Sequence, residues 1–266
     1  MTNEAYRKKR IFLAGDSTVQ SYPKDKEPQT GWGQVWWEYF KGAGECVSFP
    51  SPDSAFHQSV SYELPDVIID NRAMAARSSR SFREEGRLTD IAAALQEGDY
   101  LLAQFGHNDA NQAKEERYVR AEDFGASLAP YAALCREKGA YFVLVTPIAM
   151  RNCDDHPDGS FTYSFPEYRQ AMIAYAEQNH IPLLDLGKAT TEYCAGVGAE
   201  GCKSLFLWVN PGDYPNGEFA GGRQDNAHLQ LGGARAFAGV LTKLIREYEQ
   251  DARMDALRSF LESEEK

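Results

Sequence analysis

The stretch YLLAQFGHNDANQAKEERYVRAEDFGASLAPYAALCREKGAYFVLVTP, residues 100–147, decides the fold. Tyr100–Phe105 is an apolar run of strand length, and Tyr141–Thr146 (YFVLVT) is the strongest strand signal in the chain, ended by Pro147. Between them Ala121 to Lys138 reads as a helix stopped at Gly139. Apolar strands alternating with helices imply a parallel sheet covered by helices on both faces.

The same alternation extends outward in both directions. Ile11–Ala14 reads as a first strand, followed by Val35, Trp36, Tyr39 and Phe40 at helical spacing, in a segment ending at Gly42 and Gly44. Asp66–Asp70 (DVIID) reads as a second strand, and Ser79 to Leu95 as one helix with Leu88, Ile91, Ala92 and Leu95 on a single face. Pro166 to Asn179 is a further helix, Pro182–Leu184 a short final strand, and Leu231 to Tyr248 a long closing helix. No repeat or low-complexity linker divides the chain, so residues 1–266 read as a single domain with a helical extension at about 249–266. In that extension Met254, Leu257, Phe260 and Leu261 form an apolar stripe. The stripe reads as packing onto the parent domain, with a homodimer interface as the alternative. Two stretches, Pro50 to Glu63 and Asn152 to Ser164, read as irregular. Long loops of this kind tend to border a binding site.

Charge narrows the possible partners. The chain carries 39 acidic against 28 basic residues, a formal net charge of -11. Such an excess repels nucleic acid and anionic membrane surfaces. The arginines Arg72, Arg77, Arg80, Arg83 and Arg87 do crowd one stretch. No run reaches the length of a membrane-spanning helix. The start MTNEAYRKKR leads into only four apolar residues, too few for a secretory signal. Five scattered cysteines, Cys46, Cys135, Cys153, Cys194 and Cys202, show no metal-ligand spacing. Reduced thiols in a cytoplasmic protein account for them.

Four polar clusters carry the chemistry. Gly15-Asp16-Ser17-Thr18 follows the first strand, where ligands bind in open α/β sheets, and the glycine permits a tight turn. Asp225-Asn226-Ala227-His228-Leu229 precedes the closing helix. Histidine suits proton transfer near neutrality, and a carboxylate on its other ring nitrogen fixes the tautomer. On a turn entering a helix, Asp225 and His228 would face the same way. Asn108, in Gly106-His107-Asn108-Asp109, lies beyond the same sheet edge as Ser17 and offers a neutral donor to an oxyanion. Residues 71–82, after the second strand, offer backbone N–H groups at a strand-to-helix turn. Each cluster alone reads as a capped turn; four beside one sheet do not.

These motifs, GDST, RSSRSF followed by EGR, QFGHND and DNAHL in this order, resemble those of the SGNH (GDSL-like) hydrolases. Gly31-Trp32-Gly33-Gln34, Gly98-Asp99-Tyr100 and the segment Phe206 to Tyr214 are similar to the rhamnogalacturonan acetylesterases among them. The resemblance runs from Ile11 to about Tyr248. It implies a three-layer α/β/α fold with a five-stranded parallel sheet. It also implies Ser17 as nucleophile, Asp225 and His228 as its partners, and an oxyanion hole of Ser17, Ala76 and Asn108. Neither metal nor organic cofactor is implied. The family's glycine in the second motif block falls where this chain has Ala76. Alanine keeps the N–H but is strained if φ there is positive. The segment Pro50 to Glu63 looks longer than the family's usual link and would alter the pocket rim.

The substrate so implied is an acetylated, pectin-derived oligosaccharide. Trp32, Trp208 and Tyr214 are candidates to stack on sugar faces, and Arg77 and Arg80 to pair with a uronate carboxylate. The alternatives are a broader acetylxylan or acyl esterase, and a non-catalytic carbohydrate-binding relative with a weakened oxyanion hole.

Overall fold

The computed structural model describes residues 7–263. In chain order they form β1 (Lys9–Gly15), α1 (Trp32–Val35), β2 (Val47–Pro50), β3 (Val60–Glu63) and β4 (Val67–Asn71). The middle third contributes α2 (Ser79–Glu84), α3 (Arg87–Ala94), β5 (Tyr100–Gln104), α4 (Ala121–Lys138), β6 (Tyr141–Val145) and α5 (Pro166–Asn179). The last third adds β7 (Leu183–Leu184), α6 (Leu186–Val197), β8 (Phe206–Val209), β9 (Arg223–Leu229), α7 (Leu231–Glu247) and α8 (Arg253–Ser259).

The main sheet has the order β2-β3-β4-β1-β5-β6-β7. Strands β4, β1, β5, β6 and β7 run parallel, which is the five-stranded core the family resemblance implies. The sheet is larger than that, however. An antiparallel pair, β2 and β3, extends it beyond β4. The stretch Pro50 to Glu63, expected to be irregular, therefore ends in a strand. Its signal is masked because Ser61 is buried beside Ser51, whose hydroxyl reaches Asp70 at 2.7 Å. A four-residue strand that buries a serine shows no apolar period.

Strand alternation distributes side chains to two faces. Ile11 and Leu13 pack with Trp32, Trp36, Phe237, Leu241 and Ile245 on one side of the sheet. Phe12 and Ala14 pack with Leu101, Ile91, Leu128 and Met172 on the other. Helices α1, α6, α7 and α8 cover the first face, and α2 to α5 the second. This is a three-layer α/β/α arrangement.

Several boundaries differ from the sequence expectations. The single helix expected over Ser79 to Leu95 is broken at Glu85 and Gly86, where Gly86 takes φ 81°. The spacing around Val35 to Phe40 belongs to the four-residue α1 and a following 3-10 turn, Trp36–Tyr39. Helix α6 was not legible, since Thr190 and Thr191 lower its propensity. The helical tail is interrupted after Glu247, and Met254, Leu257 and Leu261 are buried within the chain's own core. All five cysteines are free, and four are buried. No helix among the described residues is long and apolar enough to cross a membrane.

Candidate active site

The site is assembled at the C-terminal ends of the parallel strands. Strand β1 ends at Gly15, and the chain turns at once: the carbonyl of Asp16 accepts from Val19 N and Gln20 N at 3.2 and 3.1 Å. The glycine serves close approach rather than an unusual φ. A Cβ there would meet Val19 Cγ2 at 2.7 Å and Gln104 O at 3.0 Å. The turn presents Ser17, whose carbonyl accepts from the Tyr22 hydroxyl at 2.9 Å. Burial, with the Asp16 charge adding to it, pushes the Tyr22 phenol well above its ordinary range, so it stays a donor.

Asp225 and His228 lie on strand β9, not on a turn entering a helix as the sequence suggested. A regular strand would send residues three apart to opposite faces. The β8–β9 ladder escapes this by a bulge: Phe206 pairs with Leu229 and Trp208 with Gln224, so Leu207 alone faces residues 225–228. Within the bulge Asp225 Oδ1 accepts from Ala227 N at 2.8 Å and His228 N at 3.0 Å. Asp225 Oδ2 meets His228 Nδ1 at 2.8 Å, and His228 Nε2 meets Ser17 Oγ at 3.0 Å. Because an ionised carboxylate only accepts, Nδ1 carries the proton and Nε2 turns its lone pair toward the serine. Burial acts to raise the Asp225 pKa. The hydrogen bond and charge of His228, with the two backbone donors, overcome it and hold the carboxyl well below the usual carboxylate range.

Asn108 and the Ala76 turn approach each other on the neighbouring loops. Asn108 Nδ2 donates to Arg77 O at 3.1 Å, which orients the amide. Its second N–H has no acceptor among the described residues. Ala76 is exposed and takes φ 65°, one of two non-glycine residues with positive φ among those described. For an L-residue that conformation costs about 1–2 kcal/mol.

Of the candidate sugar contacts, Trp32 is misplaced. It is buried in the core at 1% exposure and spends its Nε1–H on Gln104 Oε1 at 2.7 Å, so it offers no face to a sugar. Arg77 and Arg80 are engaged by Glu85 and by Glu84 with the Glu115 carbonyl. Trp208 is half-buried and donates to Asn226 Oδ1 at 2.9 Å, beside the Asp225 carboxylate in sequence. The Arg151 guanidinium and the Lys203 ammonium lie over its ring, each at 4.9 Å. Tyr214 shares with Tyr22, Gln29 and Gln34 a groove of about 550 Å³.

The chain is 35% identical over 238 residues to the rhamnogalacturonan acetylesterase RhgT of Bacillus subtilis (strain 168), covering 90% of both chains. It belongs to the SGNH (GDSL-like) hydrolases, in the rhamnogalacturonan acetylesterase group. The SGNH chain is also 34% identical over 239 residues to the probable rhamnogalacturonan acetylesterase YesY of the same organism, covering 89% of this chain and 92% of that one. Among solved structures, YxiM of Bacillus subtilis matches with a TM-score of 0.68 at 24% identity, over 92% of this chain and 58% of that one. The acetylxylan esterase Axe2 of Geobacillus stearothermophilus matches with a TM-score of 0.58 at 13% identity, over 91% and 95%. Both share the fold. No family model matches the chain. The protein is a carboxylic-ester hydrolase.

Behind Ser17 this SGNH hydrolase has a buried polar network that sequence reasoning passed over. Asp16 Oδ1 accepts from Thr18 N at 2.9 Å and Thr18 Oγ1 at 2.8 Å. Gln104 Nε2 donates in turn to Thr18 Oγ1 at 2.5 Å, linking the turn to Trp32 through the core. The His107 imidazole lies 3.6 Å from Asp16 Oδ2 and edge-on to Phe165, with neither ring nitrogen hydrogen-bonded. Burial lowers its pKa and His228 adds to that, against the pull of Asp16. The signal was present: Asp16, Gln104 and His107 all stand inside the motifs already singled out.

Proposed function

We propose that the chain removes acetyl groups from pectin-derived rhamnogalacturonan oligosaccharides through an acyl-enzyme on Ser17. The observation that carries this reading is the unbroken chain Ser17 Oγ, His228 Nε2, His228 Nδ1, Asp225 Oδ2, with links of 3.0 and 2.8 Å. Nε2 takes the hydroxyl proton as Ser17 Oγ bonds to the acetyl carbonyl carbon. The imidazolium so formed is held by the Asp225 carboxylate. Negative charge on the carbonyl oxygen is met by the second N–H of Asn108 and by the backbone N–H groups of Ser17 and Ala76. Collapse of the tetrahedral species breaks the bond to the sugar oxygen, which receives the proton from His228. Water, deprotonated by the same Nε2, then attacks the acetyl carbonyl and releases acetate and free Ser17.

The substrate class rests on the relatives, RhgT being named for rhamnogalacturonan acetyl groups. Trp208 and Tyr214, both half-buried, are the candidate aromatic rings near the bulge and the Tyr22 groove for stacking on a sugar. Acetate release should be followed from acetylated rhamnogalacturonan oligosaccharides and, in parallel, from acetylated xylo-oligosaccharides. Turnover of the first set, abolished by Ser17→Ala, is the expected result. Release from the xylose series alone would overturn the substrate, and turnover by Ser17→Ala would overturn the mechanism.

A further inference from the structure

We infer that Arg117 is a positioning residue: its guanidinium holds Ala76 in the left-handed conformation that aims the Ala76 N–H at the reacting oxygen. The inference rests on the proposed role of Ala76 as an oxyanion donor. Its basis is a run of hydrogen bonds along the turn after β4. Met74 N donates to Gly15 O at 3.0 Å, and Ala75 N to Gln20 Oε1 at 2.5 Å. The next three carbonyls each accept from a side chain. Arg77 Nη1 reaches Ala75 O at 2.9 Å, Arg117 Nη1 reaches Ala76 O at 3.1 Å, and Asn108 Nδ2 reaches Arg77 O at 3.1 Å.

Peptide planarity turns those contacts into a statement about one N–H. In a trans peptide the N–H points opposite to the carbonyl of the same plane. The Ala75 carbonyl therefore sets the direction of the Ala76 N–H. The dihedrals of Ala76 are the rotations between that plane and the next, whose carbonyl Arg117 holds. Together with the Arg77 N–H, which reaches Met74 O at 3.3 Å in that same second plane, these contacts hold φ at the observed 65°. A glycine would rest there unaided, but an alanine is drawn back toward negative φ, which turns the two planes against each other and works against the contact that holds the Ala75 carbonyl and the N–H opposite it.

No other polar contact of the Arg117 guanidinium occurs among the described residues. Its guanidinium forms no ion pair with any described carboxylate, and the Ala76 carbonyl is the one hydrogen-bond acceptor of that guanidinium among the described residues. Its Nε is buried without a partner. Arg77, by contrast, is also engaged through Nε by Glu85. The loop following β5 thus supplies the Asn108 amide and, through Arg117, the restraint on a second oxyanion donor.

The test is a double-mutant cycle on p-nitrophenyl acetate, with near-UV circular dichroism to verify folding. Arg117→Gln should lower kcat by about tenfold with KM changed by less than about twofold, the pattern of a lost transition-state interaction. Adding Ala76→Gly should bring kcat back to the level of Ala76→Gly alone, because glycine needs no restraint at positive φ. Arg117→Lys, which keeps a donor, should retain more activity than Arg117→Gln. An unchanged kcat in Arg117→Gln, or a loss that Ala76→Gly does not rescue, would overturn the inference. A loss confined to uronate-containing substrates would do the same, by marking Arg117 as a substrate contact. Turnover by Ser17→Ala would instead bring down the underlying function, so the two failures separate.

Discussion

The Asp109 carboxylate takes both the backbone N–H of Ser79, at 3.0 Å, and the Ser79 hydroxyl, at 2.5 Å. Its other oxygen accepts from Gly106 N at 3.0 Å. One fully buried side chain thereby ties the loop that carries Asn108 to the helix that follows Ala76. The proposed oxyanion donors come from separate segments, and their spacing depends on such ties.

Asp109 should make the fold sensitive to pH in a defined direction. Burial pushes its carboxyl up to about 7 against the Ser79 hydrogen bonds. A folded-state pKa above the unfolded value contributes stability that is complete below about pH 4 and lost as pH rises through about 7. Urea denaturation of the wild type should therefore include a loss of stability between those limits. In Asp109→Asn that component should be missing; an unchanged slope would show that Asp109 does not titrate there.

Asp225 has the opposite linkage. Its carboxyl is held well below the ordinary range, so its contribution is present above about pH 4 and disappears as pH falls through the folded-state value. Asp225→Asn should accordingly be less stable than the wild type at pH 7, with the gap narrowing in acid. On p-nitrophenyl acetate its kcat should fall by about 10⁴-fold, the loss seen when a triad carboxylate no longer fixes the histidine tautomer.

Replacing Asn108 by alanine removes the donor proposed for the carbonyl oxygen. A loss of about 10²–10³ in kcat is expected with KM little altered, because the bond forms as negative charge develops. A rise in KM with kcat preserved would place Asn108 in substrate binding instead.

Ala76→Gly should stabilise the protein. Relief of a left-handed alanine is worth about 1–2 kcal/mol, and the freer unfolded glycine takes back about 0.4–1 kcal/mol. The urea midpoint should rise by the equivalent of up to about 1.6 kcal/mol at unchanged slope. A lower midpoint would mean that the methyl group contributes packing at this exposed position.

Residues 100–147 were enough to read a parallel α/β sheet, because buried parallel strands leave long apolar runs between helix signals. The motif residues Ser17, Asn108, Asp225 and His228 were equally visible as residue types after strands or before the closing helix. Local chemistry is written locally. What the sequence could not show is every relationship that depends on distant segments meeting. Strand β3 was hidden because its buried serine is satisfied by Ser51, a partner ten residues away. Trp32 looked like a sugar platform until its Nε1–H was found on Gln104, 72 positions away, in the core. Ser17 and His228 are 211 positions apart, and a bulge in β9, set by its pairing with β8, brings them to 3.0 Å. Ala76 was visible as a departure from glycine, but its φ was not, because a backbone dihedral is decided by what holds the planes on either side. Those holders include Met74 and Arg77 of its own turn and Arg117 of the loop after β5. Sequence determined which chemical groups are present; tertiary packing decided which of them touch.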